Sequence, residues 1–137
     1  MNIAMRKIIS GIILILMIQC VIFAQDNDLK NSTPEDRAKI ITEWMQEKLS
    51  LEPSQVDAVY SINLDYAAKN IDLMNSNESR RSKFRKLKSG AKEKDKELKN
   101  IFTKDQFDIY QDRKKELRRA VKDRIEEKRK EQSHLSN

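Results

Sequence analysis

From Gln25 to Asn137 the chain contains one glycine, Gly90, and two prolines, Pro34 and Pro53. Sheet proteins reverse direction in turns that lean on glycine, proline and asparagine for special backbone angles. A chain so poor in the first two is expected to be all-α. Charged residues reach 36% and aromatic residues only 6%, so there is little to bury. Long helices with one apolar stripe each suit that composition better than a deep globular core.

The first two dozen residues have a different character. Arg6 and Lys7 precede an uncharged run from Ile8 to Ile18, which Gln19 and Cys20 interrupt before Val21, Ile22, Phe23 and Ala24. A basic start followed by an apolar stretch of this length is the pattern of a secretory signal peptide, with cleavage expected between Ala24 and Gln25. An uncleaved anchor would want about 20 apolar residues, and the run falls short. Lipidation at Cys20 would want a small residue before it, where Gln19 stands. Removal of residues 1–24 leaves 113 of the 137 residues and takes the only cysteine with it. No disulfide or thiol chemistry is then open to what remains.

Along the rest of the chain, residues 25–32 show no apolar periodicity and read as a flexible leader. Four helices are predicted, over 34–49, 53–74, 78–100 and 104–130, in a helical domain of residues 33–131 followed by a disordered tail, 132–137. In the first, Thr33 supplies an N-cap, Pro34 takes the first helical position, and Glu35 and Asp36 sit at the positive end of the helix dipole. Ala38, Ile41, Met45 and Leu49 then recur at steps of three and four, with Trp44 beside them. Val56, Val59, Tyr60, Asn63, Ala67, Ile71 and Met74 trace one face of the second. Asn75, Ser76 and Asn77 mark a break or a bend, leaving open whether the second and third helices are separate or one bent rod.

The third helix is the most charged. Phe84, Leu87, Ala91, Leu98 and Ile101 form a sparse stripe, Gly90 weakens its middle, and the run Lys92, Glu93, Lys94, Asp95, Lys96, Glu97 reads as a solvated face with local ion pairs. The fourth start has Thr103 as N-cap, Gln106 three residues on as a capping box, and Phe102 and Phe107 at the spacing of a hydrophobic staple. Phe107, Tyr110, Leu117, Val121 and Ile125 carry its apolar face. Charge divides along the chain: residues 25–77 hold five cations against ten carboxylates, and residues 78–137 hold 21 against 12. An antiparallel arrangement, within one chain or between two, would bring the opposite signs together.

The two internal helix starts are alike. Leu51, Glu52, Pro53, Ser54 and Gln55 correspond to Phe102, Thr103, Lys104, Asp105 and Gln106: an apolar residue, a cap, two further residues and a glutamine. Such paired starts resemble the LTxxQ motifs of the Spy/CpxP family of small helical periplasmic proteins. Glu52 stands where that family has threonine, and Phe102 where it has leucine. The resemblance implies a periplasmic protein forming a thin, elongated antiparallel homodimer, with ATP-independent chaperone activity or an envelope-stress role. Its client surface would mix basic and apolar side chains, and Arg80, Arg81, Lys83, Phe84, Arg85, Lys86, Leu87 and Lys88 fit that description best. Cations there would attract an unfolded, often acidic polypeptide at long range, and the apolar groups would hold it weakly.

Other chemistries lack their residues. The sole histidine, His134, lies in the tail, too little for a zinc site of three or four ligands. Asp105, Asp108 and Asp112 share a helical face but have Lys104, Arg113 and Lys115 around them for ordinary surface pairing. No catalytic constellation and no glycine-rich phosphate loop is present, so neither an enzyme nor a cofactor is expected. A sequence pI near 9.4 would suit nucleic acid, and export argues against it. The expected partners are non-native polypeptide clients and a second copy. A regulator docked on a membrane sensor kinase, or a spacer with no client, are the alternatives.

Overall fold

The computed structural model describes residues 32–135. The expected signal peptide, its cleavage between Ala24 and Gln25, and Cys20 lie outside them, as do most of the leader and the last two residues. The described chain is four helices: α1 (Pro34–Leu49), α2 (Pro53–Asn75), α3 (Arg80–Ile101) and α4 (Lys104–Leu135). No strand occurs among the described residues, and none of these helices is long and apolar enough to cross a membrane.

Each start has a local cause. Thr33 accepts a hydrogen bond from the Asp36 N–H and Pro34 opens α1. Ser79 caps α3 through the Ser82 N–H. α1 stops at Ser50, a non-glycine residue in the left-handed region (φ 51), where the Ser50 and Leu51 N–H groups both donate to the Gln46 carbonyl. α2 and α3 are separate helices, divided at Ser76–Ser79. Ser76 closes α2 by donating from its backbone N–H and its hydroxyl to the Leu73 carbonyl.

α1 lies between two neighbours, α2 and α4, and α2 also packs against α3. That double contact explains why α1 buries more than one stripe: Ile40, Thr42 and Trp44 join Ala38, Met45 and Leu49. The α1–α4 pair is antiparallel. Lys128 meets Asp36 at 2.7 Å and Arg124 meets Glu43 at 3.3 Å, so the acidic first helix and the basic last one do come together. Trp44, Met45, Leu49, Leu51, Val59, Leu98, Phe102, Tyr110 and Leu117 form the main core cluster. Phe102 meets the Tyr110 ring edge-on, with centroids 5.9 Å apart.

Three expectations change. α4 continues through Leu135, so residues 132–135 are helical rather than part of a disordered tail. Neither proline nor glycine interrupts that stretch, and the Ser133 hydroxyl donates back to the Lys130 carbonyl. In α3 only Leu98 of the five-residue stripe is buried, while Phe84 is 70% exposed and Ala91 is exposed too. α3 touches one full-length neighbour, α2, so a narrower strip suffices. The Lys92–Glu97 run does not pair with itself. Glu93 accepts from Ser89, Asp95 pairs with Lys114 and Tyr110, and Glu97 accepts from Tyr66 at 2.7 Å.

One buried polar group is half satisfied. Asn63 is fully buried on α2 and donates to Thr42 Oγ1 on α1 at 2.9 Å, while its own Oδ1 has no partner. A lone asparagine between apolar helices costs stability and favours one register over others.

Gly90 has no steric reason to be glycine: a Cβ there would meet nothing nearer than Tyr66 Cε1 at 4.0 Å. Gly90→Ala is therefore expected to stabilise the fold by about 0.5–1 kcal/mol through helix propensity alone, read as a higher denaturation midpoint at unchanged m-value.

Candidate functional site

The two glutamines singled out by the sequence meet in space. Gln55 Oε1 accepts the Glu52 N–H at 2.9 Å, and Gln106 Oε1 accepts the Thr103 N–H at 3.0 Å, so each completes a capping box on its own helix. Each amide also reaches across. Gln55 Nε2 donates to the Ile101 carbonyl (2.9 Å) and to Gln106 Oε1 (2.8 Å). Gln106 Nε2 donates to the Ser50 carbonyl (3.4 Å) and to Gln55 Oε1 (3.0 Å). A primary amide has two donors and two acceptor sites, and here all of them are occupied on both residues. Leu51 and Phe102, the apolar residues that lead the two motifs, are both buried in the core cluster beside this knot.

From that junction α2 and α3 run out as a hairpin to the turn at Ser76–Ser79. α2 has no basic residue in its last turn, and α3 supplies one: Lys83 donates to the Met74 carbonyl at 2.7 Å, placing a cation at the negative end of the helix dipole. Glu78 accepts from Ser82 at 2.7 Å and from Lys86 at 2.5 Å. Those bonds hold its carboxyl below the usual carboxylate range, Lys86 contributing most. An open cleft between the helices is lined by Tyr66, Lys69, Asn70, Leu73, Lys86, Ser89, Gly90 and Glu93.

The eight residues expected to bind clients are therefore divided. Arg80, Arg81, Phe84, Arg85 and Lys88 lie on the exposed surface with no hydrogen-bond or ion-pair partner among the described residues. Lys83 and Leu87 are half-buried on the side nearer α2, and Lys86 is held by Glu78. Spacing around the helix could have separated the two groups, since residues 83, 86, 87 and 90 share the α2-facing side. Sequence periodicity had placed Met74 on a core face, yet it is 43% exposed at the same end of the hairpin.

A second polar cluster joins α3 to α4. Tyr110 donates to Asp95 at 3.0 Å, Lys114 pairs with the same carboxylate, and Lys114 also lies 5.0 Å from the centre of the Tyr110 ring. Burial, then the Asp95 charge, raise the Tyr110 hydroxyl well above its ordinary value. Beside them Lys94 is half-buried within a dense shell of neighbours and makes no hydrogen bond or ion pair among the described residues. Desolvation pushes its ammonium down to about 8, against the pull of Asp95, and nearby Lys114 lowers it further. Among the described residues no group of three His, Cys, Asp or Glu is placed to hold a metal, and Asp108 pairs with Lys104 at 2.7 Å.

Residues 24–110 match a family described as a domain of unknown function, DUF4890, and the chain belongs to that family. The match takes in both glutamine-capped starts and ends within α4. No curated protein and no solved structure matches the chain.

Two outcomes test the polar geometry. Gln106→Glu keeps an acceptor for the Thr103 N–H but loses both donors. It should cost about 2–3 kcal/mol by urea denaturation, far more than a capping change alone. Lys94→Met should raise the melting temperature by a few degrees at pH 7. The wild-type penalty for charged Lys94 is complete below pH 8 and is relieved as pH rises from about 8 toward the ordinary lysine value, so the gap between variant and parent should narrow over pH 8–10. Above pH 10 both proteins should lose stability, because Tyr66 and Tyr110 ionise more readily unfolded than folded.

Proposed function

We propose that this member of the DUF4890 family is an exported, ATP-independent chaperone or envelope-stress adaptor that holds non-native polypeptide on the α2–α3 hairpin. The observation that carries this reading is Phe84, 70% exposed and set among Arg80, Arg81, Arg85 and Lys88, cations with no ion-pair partner among the described residues. An aromatic ring left in water beside free cations offers a client both long-range attraction and a short-range apolar foothold. Met74 adds a second, deformable apolar contact at the same end. Neither contact is extensive, which suits weak capture and release.

Export is supported by the basic start and apolar run of residues 6–24, and by a family match that begins at residue 24, where that run ends. The similarity of Leu51–Gln55 and Phe102–Gln106 to LTxxQ motifs supports a role like that of Spy/CpxP proteins in the periplasm, with a homodimer as the working unit. Binding rather than catalysis is the activity proposed, with no cofactor.

The purified protein should suppress aggregation of a denatured client at equimolar ratio and low salt, followed by light scattering. Replacing Arg80, Arg81, Arg85 and Lys88 together by serine should remove more than half of that suppression while leaving the helical circular-dichroism signal unchanged. A client protected equally well by both proteins would rule this surface out.

A further inference from the structure

α3 carries ten cations and three carboxylates, and tertiary contacts sort them. All three carboxylates are engaged: Glu93 by Ser89, Asp95 by Tyr110 and Lys114, Glu97 by Tyr66. Asp95 and Glu97 are thereby drawn into contacts with α4 and α2. Of the seven exposed cations without an ion-pair partner among the described residues, all but Arg80 fall on one stripe. Arg81, Arg85, Lys88, Lys92, Lys96 and Lys99 follow one another at steps of four, three, four, four and three, which keeps them within a narrow arc on one side of the helix. All six are exposed. None has an ion-pair partner among the described residues, and only Lys99 has a ring contact, 5.8 Å from the centre of Phe107.

The opposite side of α3 carries Leu87, Gly90 and Lys94. Of these, Gly90 lies against Tyr66 of α2 and helps line the cleft between the two helices. α4 meets α3 sparsely, so the cationic side is left uncovered within the described chain. The stripe spans 18 helical steps, about 27 Å at 1.5 Å per residue, with about 4.5–6 Å between successive charges along the axis.

We infer that this face of α3 is a docking track for an extended acidic segment of a client polypeptide. An extended chain rises about 3.3 Å per residue and points alternate side chains the same way, so its like-facing residues recur every 6.6 Å or so. About eight residues cover the track, with carboxylates at alternate positions facing the cations. Phe84 borders the track near its N-terminal end and adds a place for one apolar client residue next to the acidic run. Beside the track α3 exposes only Phe84 and Ala91 as apolar groups, while Leu87 and Leu98 turn toward the core side, which is too little apolar surface for insertion into lipid. The inference rests on the client-binding reading above and narrows it to acidic clients. It also extends the surface two helical turns and more beyond Lys88.

The test uses the purified protein and a fluorescent peptide of about eight alternating serine and glutamate residues led by a leucine, read by anisotropy. The same peptide with glutamine in place of glutamate is the control. Expected are binding of the acidic peptide at low salt, loss of most of it at roughly 0.5 M salt, and no binding of the control. Lys92→Gln with Lys96→Gln, both solvent-exposed, should weaken the acidic peptide about fivefold, equivalent to about 1 kcal/mol for the two exposed pairs together. If that double variant binds the peptide like the parent but still protects a denatured client, the track is wrong and the hairpin-tip reading stands. If neither peptide nor client is bound, both fail. Tight binding to vesicles rich in anionic lipid, with no binding of the peptide, would overturn the track in favour of a membrane surface.

Discussion

The reciprocal pair of glutamines is the interaction on which the arrangement of helices depends. Each amide completes the cap of its own helix and then ties that helix to the turn that precedes the other: Gln55 to the end of α3 at Ile101, Gln106 to the end of α1 at Ser50. Two helix starts and two helix ends are thereby joined by one pair of side chains. Helix termini leave backbone groups unsatisfied, and such groups are costly where the chain buries them without a partner. A glutamate at either position would still cap, since a carboxylate accepts as well as an amide does. Only glutamine can accept at home and donate abroad.

What lies beyond the knot is organised by charge as much as by apolar contact. α1 is acidic on the side where Asp36 and Glu43 meet Lys128 and Arg124 of α4. The Lys128 hydrogen bond holds the Asp36 carboxyl below its ordinary value. Such exposed pairs contribute little individually; their effect is to favour the antiparallel neighbour over alternatives of like sign. On α3 the same sorting runs the other way. Its carboxylates are drawn into contacts with Ser89, Tyr66, Tyr110 and Lys114, and the cations that remain outside become a surface with a direction and a length.

Some polar groups reduce stability where they sit. Asn63 leaves Oδ1 unpaired in the α1–α2 contact, Lys94 is desolvated without a counter-ion of its own, and Ser50 holds a left-handed backbone that glycine would adopt at less cost. The Ser50 conformation presents its carbonyl to Gln106, so its strain serves the knot. Asn63 restricts the register of α1 on α2. For Gly90 no such service is evident from packing, because the space beside it is open.

Local chemistry alone determined the helical class, the starts at Pro34, Pro53 and Lys104, and the capping roles of Thr33, Thr103, Gln55 and Gln106. Those features act within one turn of helix, and a turn of helix is a stretch of sequence. The basic–apolar segment around Phe84 was legible for the same reason, but not its division into free cations and the tied Lys83 and Lys86. Whether a charge is paired depends on partners that folding brings from elsewhere: Lys114 for Asp95, Tyr66 for Glu97, the Met74 carbonyl for Lys83. The same holds for the glutamines, 51 residues apart in the chain, whose mutual bond no local pattern encodes. The cationic track on α3 is likewise a product of tertiary structure, because the alternating run from Lys92 to Glu97 becomes a surface of one sign only once its carboxylates have been taken up by their tertiary and local partners.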